Sequence, residues 1–156
     1  MPAPSRIFFK TAIGYLILGA VLGMLFLIHR WLPLGDRLLT LRASHIPFLL
    51  IGWLTQFIMG GAWWLLPPLP SRPQPDDSGT ERRGQHQRGN ESLFWTTFAL
   101  LNIGVWFQAL FEPLYSWTHL TAFRALASLA GPFLLAAALA FVLNVWSRVR
   151  ALGKNR

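Results

Sequence analysis

The chain has 156 residues, enough for one modest domain. Hydrophobic residues make up 53% and charged residues 13%, about half the charged share of a soluble domain, and the chain carries eight Trp and twelve Phe. No cysteine is present, which excludes disulfides, thiolate metal sites, cysteine nucleophiles and the C-x-x-C-H attachment of a covalent heme. A net charge of +8 raises the question of nucleic acid, but its distribution along the chain argues for a lipid bilayer instead, with no nucleic-acid partner.

In chain order, an uncharged run lies between Lys10 and His29, another from Ala43 to Ser71, a third from Ser92 to Phe111 and a fourth from Ala125 to Ser147. A helix needs about 20 apolar residues to cross ~30 Å of hydrocarbon. Backbone groups in lipid must be satisfied within the segment, so each run is expected to be helical. The expectation is an all-α integral membrane four-helix bundle, two helical hairpins forming a single transmembrane domain over 1–156. Its helices are placed at about 7–29, 45–67, 92–112 and 121–147. The first run exceeds the ~7–15 apolar residues of a signal peptide and ends at His29-Arg30-Trp31 rather than at a small-x-small site, so it reads as a retained helix.

Orientation follows from Lys and Arg near the helix ends. Arg6 and Lys10, then Arg72, Arg82, Arg83 and Arg88, then Arg148, Arg150, Lys154 and Arg156 fall on one side; Arg30, Arg37, Arg42 and Arg124 fall on the other. The ten-to-four balance predicts both termini in the cytoplasm. Trp31 and Trp117 then mark the outer boundary, and Trp63, Trp64, Trp95 and Trp146 the inner one, as an aromatic belt. The segment 71–91 is rich in Pro, Gly, Gln and charge and has no large apolar residue, so it is expected to be a flexible cytoplasmic loop.

This topology gathers His29, Arg30, Arg37, Arg42, His45, Glu112, His119 and Arg124 at the outer face. Ser44 is placed to cap the second helix, with Pro47 tolerated in its first turn. His45 then sits in that turn, where the positive end of the helix dipole disfavours imidazolium and leaves the neutral ring that a metal requires. At 100° per residue the face below His45 carries Gly52, Gln56, Gly60 and Trp63, and Gly52 opens a shallow bay where the edge of a flat macrocycle fits. The competing reading is a histidine hydrogen-bonded at a helix interface, with glycines that serve close packing. His119 is the candidate second axial ligand or a plain interfacial residue; Glu112 is expected to pair with an outer arginine, ahead of the alternative of shuttling a proton. His86 is placed in the loop as a solvated residue. Gln56, Asn102, Gln108 and Asn144 are intramembrane amides expected to bond between helices. Gly19-Ala-Val-Leu-Gly23 is a G-x-x-x-G pattern and offers a face for a homodimer.

The stretch HIPFLLIGWLTQFIMGGAWWLLPPL resembles the second helix of subunit I in the heme–copper oxidase and nitric oxide reductase superfamily. In that family an outer histidine ligates the low-spin heme, a glycine-rich turn lies near the inner end, and a proline follows. The matching positions are His45, Gly60 with Gly61, and Pro67 with Pro68. The chain also resembles short oxidase-subunit-I-like membrane proteins and nitric-oxide-response heme proteins that carry H-x-H-x-x-x-x-G-W. Here that pattern reads His45-Ile46-Pro47 followed by Gly52-Trp53, with Pro47 in place of its second histidine. NIGVWFQALFEPL and AFVLNVWSRVR resemble the third and fourth helices of these proteins. The likeness extends over most of this chain but only an N-terminal part of a full subunit I; the helices bearing the copper histidines are missing, so the oxidase reaction is not expected.

The resemblance implies heme b ligated by His45, with His119 or a second copy's His45 opposite. Gly52 would lie beside the ring, and Arg37, Arg42 and Arg124 near the propionates. It further implies the inner (plasma) membrane, a respiratory-chain partner, and a role in electron transfer or gas sensing. The alternative is a cofactor-free accessory or interaction subunit of a respiratory complex that kept the scaffold and lost the chemistry.

Overall fold

The computed structural model describes residues 1–68, 74–75, 81–82 and 89–151. Along the chain run α1 (Ala3–His29), α2 (Arg37–Thr40), α3 (Arg42–Pro47), a π-helix (Phe48–Thr55), α4 (Gln56–Leu65), α5 (Glu91–Thr118), α6 (Thr121–Ser128) and α7 (Ala130–Ala151). The two-residue strands β1 (Gln74–Pro75) and β2 (Glu81–Arg82) pair antiparallel. Among the described residues there are four helical stretches long and apolar enough to cross a membrane: Ala3–His29, Arg37–Leu65, Glu91–Thr118 and Thr121–Val149. These are the candidate spans, first to fourth. The expected loop over 71–91 lies largely outside the described residues, as does His86, while Glu91 already belongs to α5.

The span boundaries differ from the expected ones for identifiable reasons. The first begins at Ala3, because Pro2 and Pro4 sit where a helix has no N–H bonds to lose. The second begins at Arg37 rather than at residue 45. Ser44 is therefore not a cap: it lies inside α3, and its hydroxyl donates to the Ala109 carbonyl at 2.6 Å. The third continues past Pro113 to Thr118. Proline at 113 cannot donate to the carbonyl four residues back, which is that of Ala109. The Ser44 hydroxyl takes this orphaned carbonyl, so the helix passes through its proline without a buried unsatisfied acceptor. The fourth span is interrupted at Leu129, three residues before Pro132, whose ring obstructs the carbonyl of Ser128.

Pro47 sits within the second span, at the end of α3. The π-helix begins at the next residue, and the Thr55 hydroxyl bonds the Leu50 carbonyl five residues back at 2.8 Å. The wider register keeps one face of this span on α1 for its whole length. Leu49 covers Gly19, Tyr15 lies over Gly52, the Gln56 amide donates to the Phe8 carbonyl at 3.3 Å, and Gly60 meets Phe8. The first and second spans are thus an antiparallel pair joined by a close glycine-lined seam. The Gly19–Gly23 face proposed for self-association is filled from within the chain, by Leu49 and His45.

The core follows from aromatic packing at two levels. Near the termini, Phe94 is stacked between Phe8 and Trp63, with ring centroids 4.3 Å from each. Trp63, expected in an interfacial belt, is 3% exposed and belongs to this core. Higher up, Tyr15, Phe48 and Trp106 form a second cluster. The outward faces of α1 and α7 are apolar and exposed, as a lipid-facing surface requires.

Candidate functional site

The end of the bundle that carries the connections 30–36 and 119–120 holds the residues singled out as a site. His45 is half-buried, and its backbone N–H donates to the Leu41 carbonyl at 3.0 Å. It therefore stands within a continuing helical run rather than in an open first turn. Its Nδ1 lies 2.9 Å from the Gly19 carbonyl of the first span. A carbonyl only accepts, so Nδ1 carries the hydrogen and donates it. In the neutral ring this leaves the lone pair on Nε2, which makes no hydrogen bond among the described residues. A ligating histidine characteristically has this arrangement, one ring nitrogen donated to a backbone carbonyl and the other left for the metal. Phe26 meets the ring edge-on at 5.5 Å, and Gly23 lies against its Cε1 corner.

No hydrogen bond or ring contact joins His45 to any of the other predicted site residues among the described residues. His119 ends α5 as its left-handed cap, with φ of 55°, and is exposed with its ring edge-on to Tyr115. Arg124 is exposed and covers the Tyr115 ring at 5.8 Å, so these three form their own group. Arg37 and Arg42 are exposed, as charged groups at a headgroup boundary would be. Glu112 is exposed as well. The bay at Gly52 is not open: a side chain there would meet the Tyr15 ring at 2.5 Å. His29 closes its own turn, with Nδ1 accepting from the Leu34 N–H at 3.0 Å. Trp117 donates to the Thr40 hydroxyl at 2.6 Å and holds the second and third spans together beside Ser44.

Below His45 a polar chain crosses the interior. The Tyr15 hydroxyl donates to Asn102 Oδ1 at 2.7 Å, Asn102 Nδ2 donates to Gln56 Oε1 at 3.1 Å, and Gln56 passes the chain to the Phe8 carbonyl. Gln56 and Asn102 thus bond between helices as expected. Tyr15 was not among the expected residues, although a phenol in an apolar helix needs a buried partner and so announces one.

The opposite end depends on α7. Arg148 is fully buried beside Trp63. Its guanidinium donates to the carbonyls of Trp63 at 3.2 Å, Pro67 at 3.1 Å and Leu66. One turn earlier, Asn144 exchanges two hydrogen bonds of 2.9 Å with the backbone of Asn90. Counting Arg148 only as a marker of orientation missed this structural role.

Among the described residues no group of three or more His, Asp or Glu side chains could hold a metal ion. A directly bound ion typically takes three or four protein ligands, whereas a macrocycle that brings its own four nitrogens needs one or two. His45 brings one such nitrogen. Comparison of the chain with protein-family models, curated proteins and solved structures gives no match.

Proposed function

We propose that this chain is a multi-pass protein of the inner (plasma) membrane, with both termini cytoplasmic, that binds heme b through Nε2 of His45. The observation that carries this reading is the 2.9 Å contact of His45 Nδ1 with the Gly19 carbonyl, which leaves the lone pair of the neutral ring on Nε2. The four apolar spans and the basic residues near the termini support the topology. Bound heme would supply one-electron chemistry and affinity for diatomic gases. The protein's own part is to orient the imidazole, to surround it with Phe26 and the first span, and to offer Arg37 and Arg42, on the same span as His45, to the propionates.

One chain brings a single histidine to this seam, since His119 is held in the cap of α5 against Tyr115. If no second histidine joins it, a bound heme would keep room for a diatomic gas, and this supports gas sensing ahead of electron transfer to a respiratory-chain partner. A cofactor-free accessory subunit is the second reading, favoured by the Tyr15 ring that fills the bay at Gly52.

Heme content of variants purified in detergent separates the two. His45→Ala is expected to lose heme, with affinity reduced more than ~100-fold, because even outer-shell partners of a ligand are worth about 10–100-fold. His86→Ala and His119→Gly are expected to retain it. Full occupancy in His45→Ala would remove the assignment.

A further inference from the structure

We propose that Gly23 is the positioning residue of the His45 site: the side chain it lacks is the space in which the Cε1 corner of the imidazole lies. A Cβ built at residue 23 would stand 3.1 Å from Cε1 and 3.9 Å from both Nε2 and Nδ1. Carbon pairs favour ~3.5–4.0 Å, so even a methyl group must push the ring. The ring has little room to yield. On one side Nδ1 is tied to the Gly19 carbonyl, and Phe26 stands edge-on against it. Its own backbone is fixed by the bond to Leu41 and by the neighbouring Ser44–Ala109 contact across to α5.

The two glycines of the pattern therefore have separate tasks. Gly19 supplies the carbonyl and accommodates Leu49; Gly23 supplies the clearance for Cε1, the carbon between the two ring nitrogens. A larger residue at 23 would push Cε1, turn the ring off the carbonyl and release the Nδ1 hydrogen. The rest of the helix gives the contrast. Gly14 lies on the same helix, and a Cβ there meets nothing within 4 Å, so small size at 14 has no such role. The ligand class, a metalloporphyrin, rests on the function proposed above; the seat for the imidazole does not.

The test uses the full chain in detergent, in a background where His29, His86 and His119 are Gln, so that His45 is the sole histidine. In the parent chain, nitrogen-15 spectra should report the Nδ1–H tautomer, with a proton–proton contact between the His45 ring and Gly23 Hα. Gly23→Ala and Gly23→Leu should shift the ring toward the Nε2–H form and lower hemin affinity, about 10–100-fold for the leucine. Gly14→Ala and Gly14→Leu should leave both unchanged. An Nε2–H ring in the parent chain, an absent Gly23 contact, or ring signals unmoved by Gly23→Leu would each overturn the seat. Correct ring signals with no hemin binding in any variant would instead overturn the heme reading and leave the seat standing.

Discussion

Ser5 and Asn102 show how differently single polar groups behave in this interior. Asn102 makes both a hydrogen bond from Tyr15 and bonds to Gln56 and the Phe98 carbonyl, so all its partners lose when it is removed. Asn102→Leu is expected to lower stability by about 1–3 kcal/mol, the cost of buried partners left unpaired. Thermal unfolding in detergent checks this. Ser5 is fully buried, and its hydroxyl has no partner among the described residues. Ser5→Ala should therefore raise stability, by about 1 kcal/mol, since it removes an unsatisfied group without removing a bond; a loss of stability would show that the hydroxyl has a partner. His45, Gln56 and Asn102 were legible from type and position, because polar groups inside apolar helices must find partners. The state of the Gly52 bay was not legible. What fills a gap on one helix is decided by the register of its neighbour, and here the neighbour presents Tyr15.

Among the elements, the proline-containing spans carry the clearest lesson. Rules for helix ends place Ser44 as a start and Pro113 as a stop. In the structure each explains the other, since the Ser44 hydroxyl satisfies the Ala109 carbonyl that Pro113 cannot. This predicts a specific coupling. Ser44→Ala should destabilise the wild-type chain by about 1–3 kcal/mol. In a Pro113→Ala background the restored N–H recovers that carbonyl, and Ser44→Ala should then cost much less. Equal cost in both backgrounds would refute the link. The existence of four apolar spans was legible from uninterrupted runs of uncharged residues. Their ends were not, because Arg37 and Arg42 lengthen a helix past its apolar part, and because a partner helix can rescue a proline that would otherwise end one.

At the scale of the molecule, two seams add to the aromatic core and the polar chain that join the spans. The glycine-lined seam joins the first and second; α7 joins the second hairpin to the first through Arg148, which collects carbonyls at the end of α4 where the helix dipole is negative. Hydrogen bonds to a charged group are worth about 1.5–3 kcal/mol each, so Arg148→Ala should be the most destabilising of these variants, with Arg148→Lys intermediate. Unfolding in detergent would show it, and an Arg148→Ala protein as stable as wild type would mean the clamp is incidental. The proposed orientation is open to direct labelling, since the chain has no cysteine of its own. A cysteine placed at Gly79 should be protected from an impermeant reagent in intact cells and react once the membrane is opened. Reaction in intact cells would invert the topology. The most direct test of the central claim, that His45 presents Nε2 to heme, is the absorption spectrum of the wild-type protein purified from heme-replete cells. The account predicts a Soret band with α and β bands on reduction, lost in His45→Ala; a spectrum of protein alone, or an unchanged heme spectrum in His45→Ala, would contradict it.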